Sequence, residues 1–255
     1  MRIATWNVNS VRARLPRLVP WLERQRPDVL CIQETKVRDE EFPAEPLEDQ
    51  GYNLVCFGQK TYNGVAILAR HRIEAVVRGF PDDGEDADRR LLGAIVGDVV
   101  FLNVYVPNGQ EVGSAKYRYK LDWLARLRHF LDQSYDLGEK LVVLGDFNVT
   151  FDDRDVYDPE AWREQIHCSL AEREALRRLA EFGLHDALRE LHPEAGIYTW
   201  WDHRGGAFPK DHGLRIDHLL MSPKARKACS AVFVDRDERK GKGASDHAPV
   251  VAELD

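Results

Sequence analysis

The stretch Lys140-Leu-Val-Val-Leu-Gly-Asp-Phe-Asn148 decides the fold class of this 255-residue chain. Its first part, Lys140–Leu144, is a short apolar and β-branched run of the length that is typical of a buried strand. The run ends in the polar residues of Gly145–Asn148. A strand end holds side chains on a rigid element while leaving them open to a ligand. The stretch therefore predicts a buried strand with chemically active side chains at its end.

Similar apolar runs recur along the whole chain, each bounded by polar or turn residues, and they predict further strands. Helical spacing appears between them at Leu15–Leu22 and Leu121–Leu131, and Ser169 opens a capping-box pattern before a third helix. With no linker or low-complexity segment, this pattern indicates one α/β domain of stacked layers, residues 1–255. The other predicted strands are Arg2–Asn7, Val29–Gln33, Tyr52–Phe57, Gly64–Leu68, Glu74–Val77, Leu92–Val96, Val99–Val106, Ile216–Leu220 and Pro249–Leu254.

Composition limits the classes of protein that the chain can belong to. No stretch approaches the ~20 consecutive apolar residues of a membrane helix, and Met1–Asn7 lacks the regions of a signal peptide. The four cysteines lie far apart without a CxxC pair, which argues against a zinc site or a disulfide framework. We therefore expect a reduced, cytoplasmic enzyme with no membrane partner.

Net charge does not decide whether the partner is a nucleic acid. The formal charge of -7 argues mildly against one. A basic footprint can nevertheless occupy one face of an acidic protein. A carboxylate metal site also adds negative charge that its ion partly neutralises.

Six polar clusters lie at strand ends or beside them, and together they contain carboxylates, amides, a tyrosine and a histidine. That inventory suits a hard cation with oxygen ligands and the hydrolysis of a phosphate ester. Each residue alone has a plainer interpretation, as a turn former, a helix cap, a salt-bridge partner or a half-buried aromatic. It is the set that favours catalysis. The clusters are Trp6–Asn9, Gln33–Lys36, Tyr105–Asn108, Gly145–Asn148, Leu214–Asp217 and Ser245–Pro249.

Eight motifs carry a resemblance to the exonuclease III / apurinic-apyrimidinic (AP) endonuclease family, within the endonuclease–exonuclease–phosphatase superfamily. They occur in the family's order and span nearly the whole chain. The resemblance implies a DNase I-like four-layer α/β/β/α sandwich, with two mixed β-sheets packed face to face and an active site at one rim. The motifs are WNVNSVRAR (Trp6–Arg14), PDVLCIQETK (Pro27–Lys36), GVAIL (Gly64–Leu68), NVYVPNG (Asn103–Gly109), LVVLGDFNV (Leu141–Val149), TWWDHR (Thr199–Arg204), GLRIDHLL (Gly213–Leu220) and SDHAPV (Ser245–Val250).

The resemblance also implies a cofactor and a set of site residues. The cofactor is Mg²⁺, for which Mn²⁺ can substitute, with Glu34 as the main metal-binding carboxylate. Asp217 is expected to orient His247, and Asp146 to act on the attacking water or on the leaving group; both roles for Asp146 stay open. The metal-facing set is Asn7, Glu34, Asp146, Asn148, Asp246 and His247, and the catalytic set is Tyr105, Asp146, Asn148, Asp217 and His247.

The implied substrate is double-stranded DNA with abasic sites or 3′ ends, cut by a monomeric repair enzyme. It would incise 5′ of abasic sites and remove nucleotides or blocking groups from 3′ ends. Trp200, Leu214 and Ile216 match the pocket for the abasic sugar, whereas Trp201 is expected in the core. The residues expected to contact phosphates are Arg12, Arg14, Lys36, Lys60, Arg118 and Lys120.

Two departures and two rival functions remain open at this stage. Asn9 stands where some relatives have aspartate, which leaves a second metal position open, and Gln110-Glu111 stands where some carry an arginine. One rival is a phosphatase of inositol phosphates or sphingomyelin, or a secreted DNase I-like nuclease; Lys36 and Trp200 favour a repair nuclease instead. The other rival is a non-catalytic binding module, against which the complete set of site residues argues.

Overall fold

The computed structural model describes residues 1–255, in which twelve strands and six α-helices follow one another along the chain. The strands are β1 (Arg2–Asn7), β2 (Val29–Gln33), β3 (Asn53–Phe57), β4 (Val65–Ala69), β5 (Ile73–Arg78), β6 (Leu91–Val96), β7 (Val99–Tyr105), β8 (Lys140–Asp146), β9 (His185–Asp186), β10 (Asp217–Met221), β11 (Cys229–Val234) and β12 (Val250–Leu254). The helices are α1 (Val11–Gln25), α2 (Glu45–Glu48), α3 (Ala115–Ser134), α4 (Leu170–Ala180), α5 (Ala187–Leu191) and α6 (Pro223–Ala228).

The strands form two six-stranded mixed sheets, with the orders β11-β12-β1-β2-β4-β3 and β5-β6-β7-β8-β10-β9. Each sheet contains one parallel pair, β1 with β2 and β7 with β8, and all the other pairings are antiparallel. A parallel pair needs a crossover connection, and α1 and α3 supply the two crossovers. The two halves of the molecule therefore repeat one strand–helix–strand arrangement.

Three apolar layers hold the sheets and helices together. Between the sheets, alternate residues such as Ile3 and Cys31 pack against Phe101 and Leu144. Helix α1 covers the outer face of the first sheet, while α3 and α4 cover that of the second. The predicted four-layer α/β/β/α sandwich with two mixed sheets is confirmed.

The predicted strands all correspond to observed ones, although some bounds differ. β8 continues to Asp146, two residues beyond the predicted end, because Gly145 packs directly against β7: a Cβ there would lie 1.9 Å from the carbonyl oxygen of Val104. β10 begins at Asp217 rather than at Ile216. The predictions missed β9 and β11, together with α2, α5 and α6. None of the helices has the length and apolar character required to cross a membrane.

Candidate active site

The two parallel strand pairs bring their carboxyl ends to the same rim of the sandwich. In the first sheet Asn7 is paired with Gln33, the neighbour of Glu34, and in the second Tyr105 is paired with Asp146. The Nδ2 atom of Asn7 donates to Glu34 Oε1 at 2.9 Å and to Asp146 Oδ2 at 2.8 Å. One amide group therefore joins carboxylates from the two sheets.

Glu34 lies just after β2, where its backbone is strained and its carboxylate contacts several polar groups. Its φ of 54° lies in the left-handed region, which non-glycine residues adopt uncommonly and at an energetic cost. Its Oε1 accepts a hydrogen bond from the Tyr105 hydroxyl at 2.9 Å, and its Oε2 lies 2.7 Å from Lys36 Nζ. Burial and the negative charges of Glu34 and Asp146 raise the pKa of Tyr105 well above its usual value. Tyr105 therefore stays protonated and can donate a hydrogen bond.

His247 and Asp217 form a buried pair at the centre of the rim. The Nδ1 atom of His247 lies 2.9 Å from Asp217 Oδ2, and its Nε2 lies 3.7 Å from Asp146 Oδ2. Burial opposes protonation of His247, but the negative charges of Asp217 and Asp146 outweigh it and raise the pKa of His247 to about 10. The imidazolium is therefore a cationic donor beside Asp146 at neutral pH.

Asp146 is a buried carboxyl group that titrates near neutrality. Burial, together with the negative charges of Asp217 and Glu34, raises its pKa to about 7, although the charge of His247 and a hydrogen bond from Asn7 oppose the rise. A group with such a pKa can accept or donate a proton at physiological pH. The geometry is therefore compatible with either role of Asp146, as base or as acid.

Asn148 follows Asp146 by two residues and also adopts the left-handed region, with φ of 52°. Its backbone N–H donates to Asp146 Oδ1 at 2.9 Å, and its Nδ2 donates to the Val106 carbonyl at 3.0 Å. The Nδ2 atom of Asn108 lies 3.3 Å from Asn148 Oδ1. Asn108 lay in a predicted polar cluster without an assigned role, and the structure places it beside Asn148.

Asn9 bridges two charged groups on the first sheet's side of the rim. Its Nδ2 donates to Asp246 Oδ1 at 2.9 Å, and its Oδ1 accepts from Lys36 Nζ at 2.5 Å. The Trp200 indole N–H donates to the other oxygen of Asp246 at 3.1 Å. Burial opposes ionisation of Asp246, but His247, Asn9 and Trp200 outweigh it and lower the pKa of Asp246 to about 2. An amide at position 9 thus holds the ionised Asp246 carboxylate without adding another negative charge.

The donor atoms at this rim fit a hard divalent cation. The ligand atoms of Asp146, Asp217 and His247 lie within 4.8 Å of one another. Both oxygens of Asp217 face His247 Nδ1, at 3.1 and 2.9 Å, so Asp146 is the carboxylate of this group that remains better suited to an ion. The pKa of Asp146 is raised first by burial and then by the charges of Asp217 and Glu34, and a bound cation would lower it. The Oδ1 atom of Asn7 accepts from the Asn9 N–H, so Asn7 arranges the carboxylates through its Nδ2.

The three residues predicted for the sugar pocket lie together beside His247. Trp200 forms backbone bridges to both Leu214 and His247. Leu214 and Ile216 are only 0% and 1% exposed, in a small apolar cluster that Trp200 covers. Trp200 alone of the three reaches the surface, and Trp201 is buried in the core.

Most of the predicted phosphate contacts lie at the surface, but one prediction was wrong. Arg12 is exposed and bonds the Glu41 carbonyl at 3.1 Å. Lys120 is fully buried and paired with Glu172, so it cannot contact a phosphate. Its spacing along α3 explains the error, because Lys120 shares a face with the buried residues four and seven positions later, Leu124 and Leu127. The other predicted contacts are Lys36, at the site itself, Arg14, which is half-buried, and Lys60 and Arg118, which are exposed.

Comparisons with known proteins identify the family. Residues 4–247 match the Endonuclease/Exonuclease/phosphatase family. Exodeoxyribonuclease III of Haemophilus influenzae is 36% identical over 266 residues, covering 100% of both chains. The 3′ phosphatase NExo from Neisseria, solved with a product DNA hairpin, has a TM-score of 0.96 at 46% identity, covering 100% of this chain and 99% of its own. An AP endonuclease from Archaeoglobus fulgidus has a TM-score of 0.96 at 39% identity, with the same coverage. The chain therefore belongs to the endonuclease/exonuclease/phosphatase family and, within it, to the exonuclease III / AP endonuclease group.

Proposed function

We propose that this protein is a magnesium-dependent DNA-repair hydrolase that removes nucleotides or blocking groups from 3′ ends of duplex DNA and incises 5′ of abasic sites. The observation that carries the proposal is the single rim at which one amide, that of Asn7, joins Glu34 and Asp146 beside the Asp217–His247 pair. This rim combines oxygen ligands for a cation, a proton-transfer group and a cationic donor.

The roles of the residues follow from their geometry. His247, charged and oriented by Asp217, would donate to a non-bridging phosphate oxygen. Tyr105 and Asn148 would supply neutral donors. Asp146 would accept a proton from the attacking water or donate one to the leaving oxygen. A bound Mg²⁺, held by Glu34 with Asp146 and Asp246, would neutralise charge on the phosphate and the leaving oxygen.

Similar proteins support DNA as the substrate. The names of the relatives include an exodeoxyribonuclease III, a 3′ phosphatase seen with product DNA and an AP endonuclease. We place 3′-end hydrolysis first, because Leu214 and Ile216 are covered here and only Trp200 of the expected sugar pocket is accessible. Incision at abasic sites comes second.

A parallel gel assay tests this function. Duplexes with a 3′-phosphate, a nick or an abasic site are incubated with Mg²⁺, with Mn²⁺ or with EDTA, beside a His247→Ala preparation that reports contaminating nucleases. We expect product from the 3′-phosphate and nicked duplexes with Mg²⁺ and none with EDTA. Intact DNA in Mg²⁺, or equal cleavage in EDTA, would contradict the proposal.

We further propose that the chain acts in the cytoplasm as a monomeric single-domain protein. Its four cysteines are all free, which suits a reducing compartment. The two sheets share one core, which supports a single cooperative unit. Size-exclusion chromatography with light scattering tests the oligomeric state, and a mass well above 29.3 kDa would contradict a monomer.

A further inference from the structure

A buried ammonium group lies directly behind the candidate active site. Lys120 on α3 is fully buried, and its Nζ donates to the carbonyl oxygens of Asn148 at 2.6 Å and Asn108 at 3.1 Å, and to the carboxylate of Glu172. An ammonium group has three N–H donors, so each of them has an acceptor here. The side chain therefore ties α3 to two loops and to α4.

The two carbonyls that Lys120 holds belong to the asparagines whose side chains meet at the rim. Asn148 adopts the left-handed region, and its carbonyl oxygen is buried, where the lack of a donor would be costly. His167 Nδ1 lies 2.6 Å from the same oxygen. On the opposite side, the Asn148 side chain lies between the Val106 carbonyl and the Asn108 amide. Lys120 and His167 therefore both hold the backbone of the residue whose side-chain amide lies at the rim.

The carboxylate of Glu172, like the ammonium group of Lys120, has several hydrogen-bond partners. Its Oε2 accepts a hydrogen bond from the Ser169 hydroxyl at 2.6 Å in the capping box of α4. Its Oε1 accepts one from the backbone N–H of His167 at 3.1 Å. The Tyr117 hydroxyl lies 2.7 Å from the Ser169 hydroxyl. A buried ion pair is not required for stability, since apolar replacements of similar volume are often as stable. A role in orienting the loops that contain Asn108 and Asn148 accounts for the position of the Lys120–Glu172 pair better than stability alone.

We propose that Lys120 is a positioning residue for phosphate hydrolysis: by holding the carbonyls of Asn108 and Asn148, it directs the Asn148 side chain toward the scissile phosphate. The proposal rests on the proposed function. Lys120 itself touches no substrate, because it is fully buried. Its contribution therefore acts on the chemical step rather than on DNA affinity.

Three variants separate positioning from stability. Lys120→Met removes the donors and leaves Glu172 unpaired, whereas Lys120→Met/Glu172→Gln removes the donors without leaving a charge. The double variant carries the test if the single one does not fold, because it leaves no unpaired buried charge. Leu127→Ala, seven residues further along the same helix, is a control that we expect to lose stability alone.

The readouts are the thermal midpoint, and kcat and KM on a 3′-phosphate duplex well below that midpoint. For Lys120→Met we expect kcat to fall about tenfold to a hundredfold with KM changed less than about threefold. The double variant should regain thermal stability but not kcat, and Leu127→Ala should lose stability but keep kcat.

Two results would overturn the proposal: a kcat of folded Lys120→Met within about twofold of wild type, or recovery of kcat together with stability in the double variant. An inactive wild-type enzyme on every DNA substrate would instead contradict the proposed function, and with it the role of Lys120.

Discussion

Asp217 Oδ2 lies 2.9 Å from Nδ1 of His247, and both side chains are buried. The contact fixes the ring so that Nε2 faces Asp146, 3.7 Å away, and it keeps the imidazole protonated. An aspartate on β10 therefore sets the orientation and charge of a histidine that precedes β12. The first prediction tests whether the two act as one unit.

We expect His247→Ala to lower kcat by about a hundredfold or more, because a positioned donor or general acid contributes ~10²–10⁴-fold. Asp217→Asn should lose much of the same activity, since the neutral amide no longer favours the imidazolium. Residues that act as a unit are strongly non-additive, so the double variant should be no worse than the poorer single variant. Steady-state kinetics on one duplex substrate checks this, with the exposed His71→Ala as a control. Losses that multiply would show that the two residues act independently.

A second prediction concerns the cation. Glu34→Gln keeps the shape of the side chain and an oxygen that accepts hydrogen bonds from Asn7 and Tyr105. It removes the negative charge that a divalent ion requires. We expect turnover at low Mg²⁺ to fall roughly tenfold to a hundredfold, with partial recovery as Mg²⁺ is raised. A Mg²⁺ titration of activity, beside the exposed control Glu48→Gln and a circular dichroism spectrum, checks this. Full activity in EDTA, or an unchanged Mg²⁺ dependence, would contradict the metal hypothesis.

The sheets could be predicted from the sequence because most strands are buried, so their apolar runs are nearly continuous. β11 was missed because it is an edge strand with exposed positions, among them Phe233 at 38%, so its pattern resembles a surface loop. β9 has only two residues and carries no periodicity. Apolar pattern thus predicts the centre of each sheet better than its edges.

The site was predictable as a set of residues but not as a set of contacts. Local motifs place Asn7 and Asp146 at strand ends, yet their hydrogen bond joins residues 139 positions apart on different sheets. The bridging role of Asn9 likewise depends on how the distant Asp246 packs. Lys120 shows the converse error, in which a charged residue was interpreted as a surface group although its helical spacing matched the core. Such contacts follow from packing, which a single sequence does not specify.

A third prediction concerns stability and pH. Burial disfavours the charge of Asp155, but Arg215, His218 and Arg189 outweigh it and lower the pKa of that carboxyl well below its usual value. A lowered folded-state pKa means that the stabilisation is complete above the unfolded-state pKa of ~3.9 and is lost as pH falls through the folded-state value. Asp155 lies 2.7 Å from Arg215 Nε, so removing its charge leaves a buried guanidinium without this partner.

We therefore expect Asp155→Asn to lower the free energy of unfolding by about 3–5 kcal/mol at pH 7. The difference in the free energy of unfolding between wild type and Asp155→Asn should narrow as pH is lowered below ~4. In that range the stabilisation that the wild-type Asp155 carboxylate provides also begins to be lost. Urea unfolding between pH 3 and pH 7 checks this, with the exposed Asp49→Asn as a control. A difference that does not change with pH would mean that packing, rather than charge, explains the loss.

The last prediction separates recognition of the abasic sugar from phosphate chemistry. Trp200 is the accessible member of the expected pocket, and its indole N–H also holds Asp246. Trp200→Ala removes both the apolar wall and this hydrogen bond, whereas Trp200→Phe keeps an aromatic wall and removes only the hydrogen bond.

Burying one large apolar side chain is worth ~1.5–3 kcal/mol, and each ~1.4 kcal/mol is a factor of ten in rate. We therefore expect Trp200→Ala to lower the ratio of kcat/KM on abasic duplex to that on 3′-phosphate duplex by roughly tenfold to a hundredfold. Trp200→Phe should lower both activities together and leave the ratio near that of wild type, because Asp246 serves both substrates. His247→Ala should also leave the ratio unchanged while reducing both activities. An unchanged ratio in Trp200→Ala would remove the pocket assignment and leave Trp200 as an aromatic that covers Leu214 and holds Asp246.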